Sequence, residues 1–122
     1  MKKFIYFADG TGANATTRCT AQEASKLVGV VPVTVSTTRA YFENNRGEWD
    51  DRDGRDYIEF AHDNTTNTTG HRCKDIGRAM AIACNAGPHM SGMTDFVDLD
   101  NSIYLEAMSF ITGVTIVYNA DL

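Results

Sequence analysis

The carboxylates are the first residues whose types and spacing could do chemistry. Asp98 and Asp100 stand two apart in the stretch Phe96-Val97-Asp98-Leu99-Asp100. On a strand they project from one face, roughly 7 Å apart, where paired carboxylates can share acid–base work. Nothing around them marks a pocket, and a solvent-facing strand accounts for both. A second cluster, Asp50, Asp51, Asp53 and Asp56, has the look of a calcium loop. Placing Gly54 at the glycine position of an EF-hand loop puts Trp49 at the first ligand position and Phe60 at the last. Both positions need oxygen ligands, so the register fails and a solvated acidic turn is the simpler reading.

The remaining candidates fail in the same way. His71 and Cys73 are two apart on a predicted helix and point about 200° away from each other. His62 falls on a strand and His89 in a loop, and the chain has no Cys-x-x-Cys or His-x-x-x-His. The small-residue turn Asp9-Gly10-Thr11-Gly12-Ala13-Asn14 lacks the glycine spacing and the Lys-Ser/Thr pair of a phosphate loop. There is no Gly-x-Ser-x-Gly elbow, and Cys19, Cys73 and Cys84 carry no nucleophile signature. Cys73 and Cys84 are eleven residues apart on the helix, about 16 Å along its axis, too far to bond each other. Three buried, reduced thiols are expected. The residues thus assign no catalytic group, no metal ligand and no cofactor site, and the expectation is a protein that is not an enzyme.

The elements that would position such residues are easier to read. The anchor is a helix over 71–86. Cys73, Ile76, Gly77, Met80, Ala83 and Cys84 recur at steps of three and four and form one apolar stripe. Thr69 or Gly70 can cap its start, and Gly87 and Pro88 stop it. Strands are predicted over 3–8, 57–62, 96–100 and 114–118, and another over 33–42, where Val33 and Val35 alternate with Thr34 and Ser36. Thr20-Ala21-Gln22-Glu23 fits a capping box, which predicts a short helix over 21–28 ended by Gly29. Residues 102–111 suit a helix or a strand. The sum is one α+β domain over 1–122, with a mixed or mainly antiparallel sheet, one main helix and one short one.

Bulk properties narrow the partners. A chain of 122 residues is one domain and buries enough surface to fold without a staple. Its net charge of −5 argues against nucleic acid and against an anionic membrane surface, since both need clustered Lys and Arg. No stretch is long and apolar enough to span a bilayer. The opening Met-Lys-Lys-Phe-Ile-Tyr-Phe-Ala-Asp has an apolar run only from Phe4 to Ala8 and reads as a strand, not a leader.

Exposed aromatics beside a polar loop are the residues that anchor protein interfaces. Trp49, Tyr41 and Phe42 are the candidates here, and closing the domain's own core is their alternative use. The strand Lys2-Lys3-Phe4-Ile5-Tyr6-Phe7-Ala8-Asp9 resembles the start of small virion structural proteins of tailed phages, marine and cyanobacterial ones in particular. So do Ala24-Ser25-Lys26-Leu27-Val28-Gly29-Val30, Asp56–Phe60, the Ile76–Asn85 helix and Phe96-Val97-Asp98-Leu99-Asp100-Asn101. The resemblance implies a head decoration or cement protein, made in the host cytoplasm and carried on the capsid surface. Its implied partners are the major capsid protein and copies of itself, often as a homotrimer. Two other classes stay open: a protein that assembles alone into filaments or shells through an exposed strand edge, and a small ligand-binding domain or enzyme.

Overall fold

A computed structural model describes residues 3–10, 18–43, 55–63, 71–85, 92–105 and 108–120. The chain runs β1 (Phe4–Ala8), β2 (Cys19–Glu23), a 3-10 turn (Ala24–Lys26), β3 (Leu27–Thr34), β4 (Thr37–Glu43), β5 (Arg55–His62), α1 (His71–Asn85), β6 (Met93–Asp98), β7 (Ile103–Tyr104), a 3-10 turn (Met108–Phe110) and β8 (Ile111–Ala120). It is a strand-rich α+β domain with two four-stranded sheets in place of the single sheet expected. The N-terminal sheet has the order β2-β1-β6-β7, with β1 and β6 parallel and the other pairs antiparallel. The meander sheet has the order β3-β4-β5-β8 and is antiparallel throughout.

Alternation decides what each sheet buries. In β4, Thr38, Ala40 and Phe42 point inward, and in β5 Asp56, Ile58, Phe60 and His62 do so. Phe7 of β1 and Phe96 of β6 meet this inner face. Ring centroids lie 5.9 Å apart for Phe7–Phe42, 5.8 Å for Phe7–Phe60 and 5.5 Å for Phe60–Phe96. These edge-on and tilted contacts add to the area that the four rings bury. The helix covers the rest of the inner face with Ile76, Ala79, Met80 and Ala83, all buried. At its flanks the Cys73 thiol donates to the Val30 carbonyl and the Cys84 thiol to that of Ala24. Burial pushes both thiols upward in pKa. The expected stripe is therefore the packed one. The strands flanking α1 do not pair with each other, however: β5 lies in the meander sheet and β6 in the N-terminal sheet.

Three expectations need correction. No short helix spans 21–28. Cys19–Glu23 pairs with β1, Ala24–Lys26 is one 3-10 turn, and Leu27 already begins β3. The predicted strand over 33–42 is the end of β3, a turn at Val35-Ser36 and β4. Of the three thiols expected to be buried, Cys19 is exposed and Cys73 and Cys84 are half-buried. The capping residues Thr69, Gly70, Gly87 and Pro88 lie outside the described residues.

Buried polar groups tie the layers. Gln22 of β2 donates to the Asp56 carboxylate of β5 at 3.0 Å across the inter-sheet space. His62 Nδ1 donates to the Asp63 carbonyl at 2.8 Å, so in the neutral ring Nε2 accepts from the Thr38 hydroxyl at 2.9 Å. At the end of β1 the backbone turns through Gly10, whose φ is +79°; a Cβ there would sit 2.8 Å from that of Leu99, so glycine is required.

Candidate protein interface

The meander sheet has a second face, and among the described residues no element covers it. Register builds it from two cross-strand rows. One row runs Val31–Arg39–Glu59–Thr115, and the next runs Gly29–Tyr41–Tyr57–Val117. Within the rows Arg39 Nε donates to Glu59 at 2.8 Å and its Nη1 to the Tyr41 hydroxyl at 3.2 Å. The guanidinium carbon lies 4.2 Å from the centre of the Tyr57 ring, and the Tyr41 and Tyr57 rings are 5.5 Å apart. The bonds to Tyr41 and Glu59 raise the Arg39 pKa further above its ordinary value. Four side chains thus fix one another in place. Arg and Tyr held rigid on an open surface are the residue types that carry binding energy at protein interfaces, because little rotamer freedom is left to lose.

One margin of this face is apolar. Among the described residues seven large hydrophobic side chains are exposed, and four of them are Val28, Val31, Val33 and Val35. They fall on β3 and its turn, the edge of the sheet, which concentrates the exposed apolar surface at one place. On the other side of the molecule a groove of about 250 Å³ runs between α1 and the second 3-10 turn, lined by Arg72, Asp75, Arg78, Ala79, Ile82, Met108 and Phe110. Arg72 is engaged there: it donates to Asp63 at 2.9 Å and to Asp75 at 3.3 Å, and stacks 4.1 Å over the Phe110 ring.

Of the three aromatics expected at an interface, Tyr41 lies on the open face. Phe42 does not: it is fully buried against Phe7, because neighbours on a strand point to opposite faces. Trp49 lies outside the described residues, as do Asp50, Asp51, Asp53 and His89. Tyr57, Arg39 and Glu59 were not singled out by sequence. The period-two pattern of 55–62 carried the signal, but only the β4–β5 pairing brings it beside Tyr41.

The carboxylates do not form the expected pair. β6 ends at Asp98, which is buried and accepts from the Asn101 side chain at 2.9 Å. Asp100 lies in the following turn and pairs with Arg18 at 2.9 Å on the surface. Asp56, expected in a solvated turn, is buried under Gln22. Among the described residues no three His, Cys, Asp or Glu side chains converge as a metal site. Among the described residues no helix is long and apolar enough to cross a membrane. The chain matches no protein-family model, no curated protein and no solved structure.

Proposed function

We propose that this chain is a structural virion protein that decorates or cements a tailed-phage head by laying the open face of its meander sheet on the capsid. The observation that carries this reading is the locked Arg39–Tyr41–Tyr57–Glu59 cluster, rimmed by exposed valines, on a face that no described element covers. The virion itself enters through the whole-chain resemblance. Docking a rigid sheet needs no turnover and no cofactor. On a lattice each contact is weak, and repetition supplies the affinity through effective concentration. The major capsid protein is the partner, and the capsid surface the location.

The test is co-sedimentation. Wild-type protein is mixed with heads of a tailed phage that lack their decoration protein, then pelleted. It is expected to pellet with the heads, and Tyr57→Ala to remain in the supernatant. Wild type left in the supernatant overturns the head-decoration reading. Equal pelleting of both proteins keeps that reading and removes this face from it.

A further inference from the structure

We infer that the groove between α1 and the second 3-10 turn binds a small organic monocarboxylate that carries one apolar group, an aromatic ring or a short branched chain. The site is separate from the open sheet face and does not depend on the capsid reading. Three observations carry it. The first is the lining. The groove holds about 250 Å³, and Ala79 and Met108, each 3% exposed, form its apolar floor. Ile82 borders it, and of the seven large hydrophobic side chains exposed among the described residues it is the one on α1. Phe110, half-buried, stands on the 3-10 side. Drug-sized ligands occupy about 300–1,000 Å³, so this space suits a smaller molecule with a single ring.

The second observation is the charge in the groove. Two arginines, Arg72 and Arg78, line it with one carboxylate, Asp75. Arg72 is committed: it donates to Asp63 and Asp75, and its guanidinium carbon lies 4.1 Å from the centre of the Phe110 ring. That end of the groove is fixed and neutralised. Arg78 is exposed and pairs with no carboxylate among the described residues. In a chain of net charge −5, it is the cation of this groove left for a ligand.

The third observation is Lys74, which is exposed, has no carboxylate partner among the described residues and lies one helical turn before Arg78. Side chains at this spacing are neighbours on the helix surface, and like charges there destabilise the helix. A carboxylate beside both cations relieves that repulsion. The arrangement sets the ligand's orientation and its charge. The apolar group rests on Ala79 and Met108 beside Ile82, and the carboxylate faces Arg78 at the rim. A neutral ligand leaves Arg78 unused, and a second negative charge meets Asp75.

Heteronuclear NMR tests this, with hydrocinnamate as the probe and its neutral isostere hydrocinnamamide as the control. Titration of hydrocinnamate into the full chain is expected to give saturable amide shifts confined to residues 72–82 and 108–110, with the millimolar affinity that a ligand of this size allows. The amide is expected to bind about threefold more weakly, the worth of one exposed ion pair. Arg78→Gln is expected to remove that preference and bind acid and amide alike. Ile82→Ser is expected to weaken both. Both positions are exposed, and the spectra themselves report that the variants are folded. The absence of saturable shifts overturns the inference, as do shifts centred outside the two segments. Equal binding of acid and amide by wild type overturns it too, and so does an acid preference that survives in Arg78→Gln or an affinity unchanged in Ile82→Ser. An acetylated Asp-Phe amide that binds more tightly than hydrocinnamate also overturns it and assigns the groove to an acidic peptide.

Discussion

The two faces of the meander sheet are made from alternate residues of the same strands, yet they follow opposite rules. Inward, Ala40, Phe42, Ile58 and Phe60 are fully buried and packed by shape. Outward, Arg39, Tyr41, Tyr57 and Glu59 are fixed by hydrogen bonds and ring contacts while remaining partly accessible. Order on the inner face comes from excluded water and close packing. Order on the outer face comes from directional contacts that survive in water, each worth about 1 kcal/mol or less. A surface can thus be rigid while adding little to stability, which is what a docking face needs.

Charge inserted into the inner face is the harshest way to break this contrast. Met80→Asp leaves an unpaired carboxylate in the core under α1 and costs several kcal/mol; the cooperative melt and the helical dichroism signal are expected to be lost. Phe60→Ala tests the same face by removal. It takes out a ring that touches both Phe7 and Phe96 and is expected to cost about 3–5 kcal/mol in denaturant titration. Gln22→Ala, at the buried clasp between the sheets, leaves Asp56 without that donor and is expected to cost about 1–3 kcal/mol. Tyr57→Ala sharpens the comparison from the other side: a cost of about 1 kcal/mol in stability is expected, from the lost aromatic pair. A cost as large as that of Phe60→Ala would mean that the outer cluster is structural. The smallest effect is chemical. Cys19 is exposed, whereas burial raises the pKa of Cys73 and Cys84. One thiol per native chain is expected to react quickly with a colorimetric disulfide reagent, and the other two, half-buried, more slowly.

The same alternation explains what the sequence revealed. Helix α1 was legible because its stripe and its stop signals are local. Strands β1, β5, β6 and β8 were legible within a few residues because their apolar runs are short and bounded. The region 19–35 misled because its local and distant signals conflict. Thr20 and Glu23 fit a helix start, but the ladder to β1 and the valines after Lys26 hold the chain extended, so tertiary pairing overrode the local signal. Tyr41 and Phe42 could not both face outward on one strand, and period two alone excludes the pair. Which of them is buried depends on Phe7, a contact that spans the two sheets. The partners of Tyr41 were hidden for a similar reason, since they come from β5 across a hairpin whose register no local motif announces.

The position of β8 has a consequence for how the chain acquires its fold. Ile58 and Ile116 are partners in the β5–β8 ladder, although α1, β6 and β7 lie between them in sequence. Until β8 has emerged from the ribosome, β5 is itself an edge, with Ile58 and Phe60 beside unpaired backbone. Closing so long a loop costs entropy before any contact repays it, which slows the step. A meander that forms before β8 is available has two margins without a strand partner, β3 and β5. Its yield depends on β8 arriving before another chain does.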